Sequence, residues 1–211
     1  MSQALLQAVR DGLEYGVKHF SEGAQHIERA LSGLKATGPR LTLAPQSLEV
    51  VDRYLEPAVA LAVGDRPRAI AQSLLAVNKD LLWFQAYPEY ADDPFLTKFR
   101  SNFAVTILTW PYVGESGIAR YINDVVGVAF TLQAPHIEYP PHVHKAVEHY
   151  YPLGGTAYWK RGEEEWAERE PGRLIFHDTG VRHAIRTTTQ PLLAMAVWVG
   201  DFESQSVIVR A

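Results

Sequence analysis

Apolar residues in the first hundred positions recur at helical spacing. Leu5, Leu6, Val9, Leu13 and Val17 fall three and four residues apart, which places them on one face of a helix. Phe20, Ile27, Leu31 and Leu34 continue the stripe until Gly38-Pro39 breaks it. A second run begins near Ser47 with Leu48, Val51, Leu55, Val59, Ala60 and Val63, and stops at Gly64-Asp65-Arg66-Pro67. A third, with Ile70, Leu74, Leu75, Val77 and Leu81, predicts a helix from Ala69 to about Phe84. Tyr87-Pro88-Glu89 to Asp93-Pro94 is turn-rich. None of these stripes carries a chemical motif. They predict a helical layer packed on the rest of the chain or at a dimer interface.

From about Phe103 the period changes. Phe103–Leu108, Val125–Leu132, Glu148–Tyr151, Ala157–Trp159, Leu174–Phe176, Ala184–Thr188 and Leu192–Val199 are short runs of β-type residues. Gly154-Gly155, Arg161-Gly162, Pro171-Gly172, Thr179-Gly180 and Gln190-Pro191 separate them. Short strands with regular turns predict an antiparallel sandwich or barrel. The expected layout is a helical region over 1–100 and a β-barrel over 101–211, mainly β in class.

Composition narrows the chemistry. The chain has 211 residues, a net charge of -4, and no cysteine. Its basic residues are scattered, which argues against a nucleic-acid partner. Without cysteine, a metal site has to use His, Asp or Glu. No apolar run reaches the length of a membrane span. The N-terminal residues Arg10, Asp11 and Glu14 do not suit a signal peptide, so a cytoplasmic location is expected.

The informative segment is Pro140-Pro141-His142-Val143-His144-Lys145-Ala146-Val147-Glu148. In a regular strand alternate side chains share a face, and His142, His144, Glu148 and Tyr150 share one parity. Two imidazoles and a carboxylate on one face suit a first-row transition metal. His183, on the strand expected after Gly172, is the best candidate for a fourth ligand.

These residues resemble both signature motifs of the cupin superfamily. The first motif has two histidines one apart, a glutamate four residues on and a glycine seven beyond, here His142, His144, Glu148 and Gly155. In the second, Gly172, Gly180 and His183 fit; Asp178 replaces a proline, and Thr187 stands in place of an asparagine. The resemblance implies a C-terminal cupin barrel (a double-stranded β-helix or jelly roll), with the helical region packed against it. It also implies one divalent metal ion (Zn, Fe, Mn, Co or Ni) on His142, His144, Glu148 and His183.

Over Tyr139 to Asp201 the sequence is similar to the bacterial cupin-type dimethylsulfoniopropionate (DMSP) lyases and their lyase-like relatives. Tyr139-Pro140, Lys145-Ala146, Tyr150, Leu153-x-Gly155-x-Ala157-x-Trp159, His177, His183-Ala184 and Trp198-x-Gly200-Asp201 carry the likeness. It implies a carbon–sulfur lyase that splits DMSP into dimethyl sulfide and acrylate by β-elimination. Tyr150 takes the place of the family's base, Tyr139 that of a second site tyrosine, and Trp198 that of a pocket tryptophan. Ala194, Ala196 and Trp198 share one strand face, expected to be the lumen, where small residues leave room beside an aromatic that attracts the sulfonium group.

Two other readings fit the same ligands. One is a cupin isomerase or dioxygenase acting on another small carboxylate or sugar, with DMSP cleavage at most a side activity. The other is a non-catalytic ligand-binding cupin. The expected partner is a small sulfonium carboxylate, with no membrane or nucleic acid, and a homodimer is the expected assembly. His149 has the opposite parity to the ligands, His136 precedes the motif in a loop, and His177 suits a place beside the metal ligands or in the core.

Overall fold

The computed structural model describes residues 2–39, 41–111 and 118–210. Helices α1 (Ser2–His19), α2 (Ala24–Lys35), α3 (Glu49–Ala60), α4 (Asp65–Val77) and α5 (Thr97–Ser101) come first. The strands follow: β1 (Phe103–Trp110), β2 (Ala119–Ile122), β3 (Val126–Gln133), β4 (Glu138–Val143), β5 (Val147–Gly154) and β6 (Ala157–Arg161). After these come β7 (Ala167–Arg169), β8 (Ile175–His177), β9 (His183–Thr187), β10 (Leu192–Val199) and β11 (Val207–Ile208).

Among the described residues the strands form two sheets, ordered β2-β1-β3-β10-β5-β8 and β11-β4-β9-β6-β7. The pairs are antiparallel except β1 with β2. This is a mainly β jelly roll of two facing sheets, not a barrel closed by hydrogen bonds. Helices α2 and α3 lie on β3 and β10, and α4 lies on β5. Leu193, Met195, Val197 and Val199 are buried on the helix side of β10. The opposite face of β10 pairs Ala196 with Tyr150 and Trp198 with Glu148, so it looks into the space between the sheets.

The helical stripes are cut at other points than the periodicity suggests. The stripe from Leu5 to Leu34 is two helices, because Gly23 at φ 68 turns the chain between them. A Cβ at Gly23 would lie 2.4 Å from Phe176 and 2.6 Å from His149, so the turn needs glycine for space as well as for backbone. Helix α3 ends at Ala60, and Val63 is exposed. Gly64-Asp65-Arg66-Pro67 opens α4 as well as ending the second run, because proline in a first helical turn gives up no needed hydrogen bond. Helix α4 stops at Val77, short of Phe84. Leu82 and Phe84 instead bridge to Gln46 and Val105. Strands β2, β7 and β11 were not expected from the pattern; they are too short to show a period. No helix among the described residues is long and apolar enough to cross a membrane.

Candidate metal centre

The motif from His142 to Glu148 is not one regular strand. His142 lies on β4 in the five-stranded sheet and Glu148 on β5 in the six-stranded sheet, with His144 in the connection between them. The ligands therefore converge because the chain turns a corner between facing sheets, and shared parity along one strand is not the cause. His183 on β9 is paired directly with His142. One nitrogen or oxygen from each of His142, His144, Glu148 and His183 lies within 4.8 Å of the others. The four residues are 1%, 5%, 1% and 1% exposed.

Each imidazole is tied to a carbonyl two residues away. His142 Nδ1 bonds Pro140 O, His144 Nδ1 bonds Ala146 O, and His183 Nδ1 bonds Val181 O, each at 2.9 Å. A carbonyl only accepts, so Nδ1 carries the proton in all three rings, and in the neutral tautomer Nε2 presents a lone pair. Glu148 Oε2 sits 3.0 Å from Nε2 of both His144 and His183. Acceptors facing acceptors at that distance in a buried site need positive charge between them, as protons or as a metal ion. The charges respond accordingly. Burial would raise the Glu148 carboxyl, but its bonds to His144 and His183 hold it well below the ordinary carboxylate value. Burial would lower His144, but the Glu148 bond and charge turn the shift upward. Burial, then His183, holds His142 well below the ordinary histidine value. Three oriented Nε2 atoms and a carboxylate oxygen fit a divalent transition metal.

Aromatic and polar groups close around this cluster. The Trp198 indole N–H donates to Glu148 Oε1 at 2.6 Å, and its ring lies 4.1 Å from that of His144. Trp110 packs 5.3 Å from Trp198, and Phe202 packs 5.1 Å from Trp110. Tyr139 stacks on His142 at 3.9 Å with ring planes 3° apart. Tyr150 is buried, two residues along β5 from Glu148. Burial, then the Glu148 charge, holds the Tyr150 hydroxyl well above the ordinary tyrosine value. His177 stacks on His183 at 4.0 Å and 12°, and Trp159 packs 5.0 Å from Tyr150.

The residues singled out from sequence thus meet around one centre: His142, His144, Glu148, His183, Tyr139, Tyr150 and Trp198. His149 points the other way, into the α1–α2 turn beside Gly23 and Phe176. Sequence reasoning missed Tyr87, whose hydroxyl is 2.6 Å from that of Tyr139, and Trp110. No motif or spacing marks either residue.

A sequence profile of the DMSP lyase family matches residues 22–194. The chain belongs to this family. The lyase DddQ of Ruegeria pomeroyi is 26% identical over 187 residues, spanning 86% of this DMSP lyase family chain and 86% of the relative. The crystal structure of that DddQ superimposes with a TM-score of 0.67 at 22% identity, covering 94% of this chain and 96% of the other. A structure solved with the DMSP lyases RdDddP and RnDddQII gives a TM-score of 0.76 at 20% identity, covering 99% and 97%. Through these two structures the DMSP lyase family member shares a whole-chain fold, helical layer included.

Proposed function

We propose that this protein is a metal-dependent DMSP lyase in which Tyr150 is the base. The observation that carries the reading is the buried cluster of His142, His144, Glu148 and His183, with the Tyr150 ring 6.3 Å from that of His183, in a chain matched by the family over most of its length. These four residues would hold one ion of Zn, Fe, Mn, Co or Ni. When bound, that ion supplies a Lewis acid for the substrate carboxylate and positive charge that favours the Tyr150 phenolate.

The reaction asks the following of the chain. Tyr150 removes a proton from the carbon next to the substrate carboxylate. The C–H electron pair becomes the C=C bond of acrylate, and the C–S pair leaves with sulfur as neutral dimethyl sulfide. With no compensating positive charge, burial and Glu148 keep Tyr150 protonated, so the proposed base depends on an occupied metal site. Tyr139, stacked on His142, lines one wall. Trp198 is only half-buried, and with Trp110 and Phe202 it offers aromatic surface to the dimethylsulfonium end, each good contact contributing ~0.5–2 kcal/mol. The edge strands β7, β8 and β11 support a homodimer, and a cytoplasmic setting completes the reading.

Headspace detection of dimethyl sulfide from protein reconstituted with each of the five metals tests this, with Tyr150→Phe alongside. Release that falls by about 10²–10⁴-fold in a variant with unchanged metal content supports the lyase and its base. A flat trace with every metal would reject DMSP as substrate and return the chain to a cupin enzyme of another small carboxylate or sugar, or to a binding protein.

A further inference from the structure

Tyr87 lies in the turn-rich segment between α4 and α5, in no motif. Its backbone is left-handed, at φ 58 and ψ 57. That region is rare for a bulky side chain. Pro88 follows, and a proline further disfavours helical-type backbone in the residue before it. A conformation disfavoured on both counts persists where its surroundings over-determine it, and such residues cluster at functional sites.

What holds Tyr87 is visible. Its ring packs 6.0 Å from Tyr139 and 6.2 Å from Phe99. Its hydroxyl is 2.6 Å from the Tyr139 hydroxyl and 2.8 Å from Ser206 Oγ. Ser206 comes from the segment before β11 and is half-buried, while Tyr87 and Tyr139 are 7% and 6% exposed. Three distant parts of the chain therefore meet in one row of hydroxyls that ends at a metal ligand, because Tyr139 is stacked on His142.

We propose that Tyr87, anchored by Ser206, is a positioning residue that orients the hydroxyl of Tyr139 toward substrate. The stacking on His142 and Phe99 fixes the Tyr139 ring but leaves its O–H free to rotate about the C–O bond. Each hydroxyl has one proton to donate, so the row has two senses. In one, Tyr139 donates to Tyr87 and turns lone pairs to the site. In the other, Ser206 donates to Tyr87 and Tyr87 donates to Tyr139, which frees the Tyr139 proton for an acceptor in the site. An anionic carboxylate substrate selects the second sense. The inference rests on the reading that Tyr139 lines the substrate site.

The test is a double-mutant cycle on the metal-loaded enzyme with DMSP, using Tyr87→Phe, Tyr139→Phe and the pair. Tyr87→Phe is expected to lower kcat/KM by about tenfold, the scale of one hydrogen bond, with metal content unchanged. The pair should be no worse than Tyr139→Phe alone, because Tyr87 acts only through that hydroxyl. Ser206→Ala, at a half-buried site that tolerates change, should give a smaller loss that also vanishes in the Tyr139→Phe background. It carries the test should Tyr87→Phe fail to fold. Losses that multiply in the pair, or activity within twofold of the parent in both Tyr87→Phe and Ser206→Ala, would overturn the proposal while leaving Tyr139 in the site. A silent Tyr139→Phe would remove both the proposal and the reading of Tyr139, and the two failures are thereby told apart.

Discussion

Trp198 donates its indole N–H to Oε1 of Glu148 at 2.6 Å, while Oε2 of the same carboxylate faces the histidines. The bond divides the two oxygens between the protein and the candidate metal site, leaving Oε2 as the oxygen that would bind an ion. Partners of this kind are commonly worth 10–100-fold in metal affinity. Trp198→Phe keeps the ring but removes the donor. Metal affinity, measured by competition with a chelator, is expected to fall by about 10–100-fold with the fold intact. Unchanged affinity would show that Oε1 needs no partner.

Ion loading should couple to folding. The close approach of Glu148 to the lone pairs of His144 and His183 is tolerable only with positive charge between them. An ion at 100 times its Kd stabilises by about 2.7 kcal/mol, or roughly 5–10 °C in Tm for a chain of this size. Melting curves after chelation and after metal return should differ by that amount, and His183→Ala should lose the difference. Coincident curves in the parent protein would contradict a metal at this centre.

His149 sets an acid limit on stability. Burial, the largest cause, pushes its pKa down to about 4, against an ordinary value near 6.5. The unfolded chain therefore takes up a proton below about pH 6.5 that the folded chain refuses until about pH 4. Stability is full above that window and falls as pH drops through it, by roughly 3 kcal/mol from this residue. His149→Phe should flatten that limb in melts between pH 4 and 7. An unchanged slope would assign the acid sensitivity to other groups.

The helical layer and the sheets share one apolar core, in which Leu13, Ile70 and Leu74 belong with Leu193 and Val197. A fragment starting near residue 101 would expose the helix side of β10 to water. Such a fragment is expected to be insoluble or unfolded, judged by expression in the soluble fraction and by circular dichroism. A soluble, cooperatively melting fragment would show that the jelly roll stands alone.

Much of this was legible in the sequence. The change from a period of three to four to short β runs separates helices from strands near residue 103, and His142, His144, Glu148 and His183 are readable because ligand chemistry admits few residue types at few spacings. The way they converge was not readable. Parity along one strand picked out residues that do converge, but for the wrong reason, because the chain turns between sheets at His144 and no local pattern shows that corner. The Gly23 turn escaped because a glycine inside a continuing apolar stripe looks tolerable until its neighbours are known. Tyr87 escaped for a plainer reason: its contacts lie 52 and 119 residues away.

The three Nδ1 bonds each close on a carbonyl two residues from the histidine that makes them. The tautomer of each of these three imidazoles is therefore written into a fragment a few residues long. Substitutions at more distant aromatics, such as Trp110 or Trp159, are expected to leave the tautomers of these three imidazoles undisturbed. A scaffold wired in this way can change its clientele and keep its tool.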